Sequence, residues 1–206
     1  MEKFPMVPFL VFSGLLFALI AAIFIAIVRG NKKMELSVLS VAQTYGLSPG
    51  VSGRVNLEKL LKDINFIPAG PGRLSFGGYR NIFTDGEVIL CNVVETAKTS
   101  YSSRAATTTQ RSAVIFEGLP DVKMLFHIEK DGGIKVRYRS GIPQEDKILS
   151  ILPQLINASL PHLLQCLIYE DAAIIYFIPA FTMETEADIR LLVDMGRRLK
   201  KSLRGQ

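Results

Sequence analysis

Residues 73–97 read "RLSFGGYRNIFTDGEVILCNVVETA". Two runs rich in β-branched, aromatic and other apolar residues, 73–83 and 87–97, flank Asp85-Gly86. An Asp-Gly pair between such runs is a strong hairpin signal, because glycine supplies the positive φ that a tight turn requires. The pattern continues downstream. "RSAVIFEGL" (111–119) and "VKMLFHIEK" (122–130) read as two more strands, and "DGG" (131–133) turns the chain. In "IKVRYRS" (134–140), Ile134, Val136 and Tyr138 alternate with Lys135, Arg137 and Arg139, the period of a half-buried strand. Short turns between successive strands imply antiparallel pairing. "LIYED" and "AAIIYFIP" (172–179) read as a last pair, with Glu170-Asp171 as the turn between them.

Helical patterns surround this block. "PQEDKILSILPQLINASLPHLLQCL" (143–167) reads as short helical pieces broken near Pro153 and Pro161. "TMETEADIRLLVDMGRRLKKSLRG" (182–205) is the clearest helix. Thr182 or Thr185 can cap it, and Glu184, Glu186 and Asp188 load its first turns while Arg197 to Arg204 load its last, as the macrodipole favours. Ile189, Leu192, Gly196, Leu199 and Leu203 form one stripe suited to packing on a sheet. Upstream, "MELSVLSVAQTYG" (34–46) is an amphipathic helix stopped by Gly46, "NLEKLLKDI" (56–64) is a short helix capped by Asn56, and "PAGPG" (68–72) is a break.

The first residues belong to a different solvent. Residues 4–28, "FPMVPFLVFSGLLFALIAAIFIAIV", carry no charge. Phe9 to Val28 as a helix is about 30 Å long, the thickness of a bilayer's hydrocarbon core. The run is too long for a signal peptide and lacks a small-x-small site after it, so the expectation is an uncleaved single-pass anchor. The positive-inside bias places the flank with Arg29, Lys32 and Lys33 in the cytoplasm. The expected location is therefore the cell membrane, N-terminus outside and C-terminal domain cytoplasmic. The fold expected is α+β: an N-terminal transmembrane helix, then one domain with a mainly antiparallel sheet packed by helices, including the C-terminal amphipathic one. The domain boundaries are 1–33 for the anchor with its basic flank and 34–206 for the soluble domain.

Charge excludes one partner class. The chain carries 24 Lys and Arg against 19 Asp and Glu, a net +5, yet residues 34–195 hold more acids than bases. The excess sits in Arg29, Lys32 and Lys33 and in Arg197, Arg198, Lys200, Lys201 and Arg204. A nucleic-acid binder would show a basic face within its folded body, so no nucleic-acid partner is expected. These eight residues are the candidates for contact with an anionic membrane surface. Within the anchor, Gly14, Ala18, Ala22 and Ala26 fall four apart, a stripe through which a second copy or another membrane protein can approach.

Material for catalysis is scarce. The only histidines are His127 and His162, no CxxC occurs, and Cys91 and Cys166 lie in apolar runs as buried, reduced thiols. "GPGRLSFGG" (70–78) lacks the Lys and following helix of a phosphate loop. The Ser/Thr-rich stretch 98–110, around Tyr101 and Arg104, reads as a hairpin tip, and Asn157-Ala158-Ser159 is a chance sequon in a cytoplasmic domain. No catalytic, metal-ligating or cofactor-binding set can be assembled, and no cofactor is expected.

The order of features resembles a broad group of uncharacterised bacterial membrane-tethered proteins. The resemblance rests on the anchor, a helix ending "AQTYGL", the core "GGYRNIFTDGEVILCNVVETAKTSYSSRAATTTQRSAVIFEGLPDVKMLF", and the final "DAAIIYFIPAFTMETEADIRLLVDMGRRL". It implies a bacterial source and a cytoplasmic α+β domain, and no site residues. The expected function is a non-enzymatic, membrane-tethered interaction or scaffold module. The alternative is a domain that binds a small ligand or an anionic lipid head group at the membrane surface.

Overall fold

The computed structural model describes residues 6–50, 73–98, 106–155, 160–178 and 184–204. The helix expected at 56–64, the break at 68–72, Tyr101, Arg104, the Asn157 sequon and Thr182 lie outside the described residues. Helix α1 (Met6–Thr44) is continuous through the apolar run and the amphipathic segment after it. The boundary drawn at 33/34 therefore falls inside a single helix. Its stretch from Val11 onward is long and apolar enough to cross a membrane, and that window buries nothing within the chain. The last three turns behave differently: Met34, Val38, Val41 and Ala42 are buried against the domain. Gly46 ends the helix with φ +67, and the Leu47 and Gly46 amides return to the carbonyls of Ala42 and Gln43. This is the reciprocal closure that an αL glycine permits.

The described strands are β1 (Ser48–Pro49), β2 (Arg73–Thr84), β3 (Ile89–Lys98), β4 (Ala106–Ile128), β5 (Ile134–Arg139) and β6 (Leu163–Ile178). They form one antiparallel sheet in the order β1-β2-β3-β4-β5, with β6 also paired to β4. Helices α2 (Pro143–Leu155) and α3 (Glu186–Arg204) complete the α+β domain. The Asp85-Gly86 turn forms as expected: Gly86 has φ +85 and Asp85 Oδ1 accepts the amides of Glu87 and Val88 at 2.8 and 2.9 Å.

Three assignments change. The expected strands 111–119 and 122–130 are one 23-residue strand, β4, interrupted by a bulge between Glu117 and Val122. Residues 167–178 likewise belong to one strand, and Leu163 to Leu167 extend it where helix was expected. Glu170 is its pivot, with φ 55, rather than the first residue of a turn. Thr107 to Gln110 are strand too, paired with Val94 to Ala97, so the polar tip is shorter than its composition suggests.

The pivot bends the sheet. Gln165 Nε2 bonds the Tyr176 hydroxyl, 11 residues away on β6, and the rings of His162 and Phe177 are 5.9 Å apart. In a straight strand residues 11 apart would be separated by about 36 Å. Two apolar clusters result, split by strand alternation. One joins Val88, Leu90, Val114, Phe116, Phe126, Ile168, Ile175 and Phe177 with residues of α1, α2 and α3. The other joins Ile89, Cys91, Val93, Ala113, Ile115, Leu125, Leu167, Ile174 and Tyr176. The two cysteines are free and lie in different clusters. Burial pushes the Cys91 thiol up to about 12 and raises that of Cys166 as well, so both stay protonated and inert.

Candidate functional site: the junction of α1, α3 and the sheet

Helix α3 lies along the last turns of α1 and crosses β4. Close approach is possible because residue 196 is glycine: a Cβ there would stand 2.5 Å from Val114 Cγ1. Polar groups close the two ends of this contact.

At the far end, the Tyr45 hydroxyl donates to Asp194 Oδ2 at 2.9 Å and its ring lies 5.1 Å from the Arg197 guanidinium carbon. Arg197 in turn pairs with Asp85 Oδ2 at 2.6 Å. Burial would raise Asp85, but the Val88 and Glu87 amides and Arg197 outweigh it and hold the carboxyl below its usual range. Lys200 Nζ bonds the Glu87 carbonyl. Three elements therefore meet on one guanidinium: the end of α1, the middle of α3 and the β2–β3 turn.

At the near end, Ser40 of α1 hydrogen-bonds Glu186. Thr185 caps α3: the Asp188 amide donates to Thr185 Oγ1 at 3.2 Å and Asp188 Oδ2 accepts the Thr185 amide at 2.7 Å. His162 Nε2 stands 3.4 Å from the same Asp188 oxygen. Glu184 is only 8 % exposed; its Oε2 accepts the Ser112 amide at 2.8 Å, and its Oε1 has no hydrogen-bond partner. Burial and the nearby Asp188 push the Glu184 carboxyl up to about 7, against the Ser112 hydrogen bonds and Arg111. Ser112 also receives Asn92 Nδ2 at 3.5 Å, and Asn81, at the β2 bulge with φ 50, donates to Asn92 Oδ1.

A second polar chain crosses the other cluster. Arg137 Nε donates to His127 Nδ1 at 3.5 Å, His127 Nε2 meets Gln165 Oε1 at 2.9 Å, and Gln165 reaches the buried Tyr176 hydroxyl. With Arg137 donating to Nδ1, Nε2 carries the ring proton. Burial, with Arg137 and Lys135 adding to it, lowers the histidine below its usual value despite Gln165 and Glu129.

The expected contact residues fall in different places. Gly14, Ala18 and Ala22 line exposed helix, as does Ala26, and Arg29, Lys32 and Lys33 are exposed one to two turns later. Arg197 is committed to Asp85, and Lys200, expected at a membrane surface, is instead 4 % exposed. Lys200 is buried because its turn of α3 packs over the β2–β3 turn, where Glu87 offers a carbonyl. From Glu186 beside Ser40 to Arg197 above Tyr45, α3 advances away from the apolar run.

Helical phase adds an unforeseen feature. At 3.6 residues per turn, Ala18, Ala22, Arg29, Lys32, Leu36 and Leu39 share one side of α1, opposite Met34, Val38 and Val41. Leu36 and Leu39 are 57 % and 39 % exposed on that side. The charge pattern of the sequence assigns Glu184 and Asp188 to the helix dipole alone. Their i, i+4 spacing with Leu192 was the signal that they lie on the buried stripe. Among the described residues no group of three or more metal-ligating side chains occurs. Comparisons with protein-family models, curated proteins and solved structures find no match. The junction ties the end of a long apolar helix to a sheet.

Proposed function

We propose that the protein is a single-pass, membrane-tethered interaction module, with α1 in the bilayer and the domain on the cytoplasmic side. The observation that carries this is the continuity of α1: one helix leaves the apolar run and enters the domain's core at Val38, Val41 and Ala42. Such a helix transmits position and rotation without a flexible linker. The favoured occupant of its outward side is a second copy, because the small residues of the stripe and the exposed Leu36 and Leu39 stand in phase and opposite the domain. A parallel pair would bury both and leave the two domains outside.

The test is oxidative cross-linking of Leu36→Cys in native membranes. Cys91 and Cys166 are buried, so the new thiol reacts alone. A disulfide-linked dimer from Leu36→Cys, and none from Ser37→Cys, is expected. Equal yields from both, or monomer throughout, would remove the reading. The lipid-head-group alternative draws support only from Arg29, Lys32 and Lys33, which are exposed beside the apolar run. Neutralising these three in the full chain would then abolish its enrichment of anionic over neutral lipid in mixed micelles, while neutralising Arg198 and Lys201 would not.

A further inference from the structure

We propose that Glu184 is a proton-operated latch that seats the start of α3 on β4. The inference stands on geometry and does not depend on the membrane placement. Glu184 is the one described carboxylate that is buried with an oxygen lacking any partner, and its other oxygen holds the Ser112 amide. Ser112 still pairs with Asn92 of β3, but on its other side β6 pairing with β4 reaches Ala113 and goes no further among the described residues. The carboxylate therefore accepts an amide that β6 pairing does not reach among the described residues.

The surroundings oppose a negative charge there. Asp188, four residues on, already holds the cap of α3 and lies beside His162. Glu186 faces Ser40 and Arg190 on the exposed side of the helix. From β4, Arg111 is the cation whose field reaches Glu184. Burial outweighs it, and the folded carboxyl titrates near 7 instead of 4.5. The sign follows. A carboxyl raised in the closed state binds its proton more tightly there than when open, so protonation closes the latch and deprotonation, as pH rises through 7, releases it. Gln110 Nε2, also buried and unpartnered, lies two residues along β4 from Ser112 on the same face.

Amide exchange of Ser112, measured on the full chain in detergent micelles and corrected for the intrinsic rate, reads the latch directly. Between pH 6 and pH 8 its protection falls about tenfold in the native chain, the change expected for a group moving from 4.5 to about 7 on closure. Glu184→Gln, which holds the neutral form, removes the pH dependence. A flat profile in the native chain, or an unchanged slope in Glu184→Gln, overturns the proposal. Should Glu184→Gln fail to fold, the carboxyl carbon shift of Glu184 in the native chain decides: a midpoint near 7 supports the latch and one below 5 ends it.

Discussion

Gly196 carries a prediction that turns on one methyl group. Alanine is the better helix former by about 1 kcal/mol, yet its Cβ would stand 2.5 Å from Val114 Cγ1 inside a filled core. Overpacking of this kind costs about 1–3 kcal/mol, so Gly196→Ala should lower the melting temperature by several degrees, and a rise would show that the helix can slide. His127 and Glu184 give the chain a pH profile with two arms. His127 has a folded pKa below its unfolded 6.5, so its neutral form is favoured by folding and its contribution is lost as pH falls below 6.5. Glu184, raised from 4.5 to about 7, contributes fully below 4.5 and loses about 3 kcal/mol as pH rises through 7. Thermal melts should therefore show His127→Gln flattening the acid arm and Glu184→Gln the alkaline one; an alkaline arm that survives Glu184→Gln belongs to some other group. The stripe Ile189, Leu192, Gly196, Leu199 and Leu203 was legible because packing on a sheet demands 3.6-residue spacing. The burial of Lys200 was not, since a lysine at a helix end is indistinguishable in sequence from a solvated one.

At the scale of elements, the hairpin at Asp85-Gly86 and the helix 186–204 could be read off the chain because their signals are local: a turn dipeptide, a cap, a charge gradient. The Thr185 cap should be worth about 1 kcal/mol, and Thr185→Ala should lose that much in denaturant midpoint with an unchanged slope. The long strands escaped the same method. "GLPD" (118–121) carries Gly and Pro and reads as a turn, yet the chain resumes pairing with the same partner after four bulged residues. Likewise Glu170-Asp171 is polar and adjacent, which looks like a turn, while the actual device is one residue at φ 55. A non-glycine residue in that region is strained, so Glu170→Gly should raise stability by about 0.5–1 kcal/mol and leave the bend in place. Loss of the Gln165–Tyr176 contact in that variant would mean that the glutamate side chain, and not the backbone, sets the bend.

For the whole molecule the decisive property is that α1 has no joint. Gly46 is the first residue at which the helix yields, and by then Val38, Val41 and Ala42 are already fixed in the core. The sequence suggested two units meeting at residue 33, because hydropathy changes there; helix propensity does not, and the backbone follows propensity. A continuous helix carries phase, and phase can be edited. Each inserted residue rotates everything after it by about 100° and advances it by about 1.5 Å. If two copies associate along the side bearing Ala18, Ala22, Leu36 and Leu39, two alanines inserted between Gly30 and Asn31 turn Leu36 by about 200°, away from the partner, while seven turn it by nearly two full circles and restore the register. Cross-linking through Leu36→Cys should accordingly vanish with two inserted residues and return with seven, although the seven-residue insertion is the larger disturbance. A yield that declines steadily with length, or ignores it, would show that the helix bends near Gly30 under load and that the paired arrangement is not how this chain assembles.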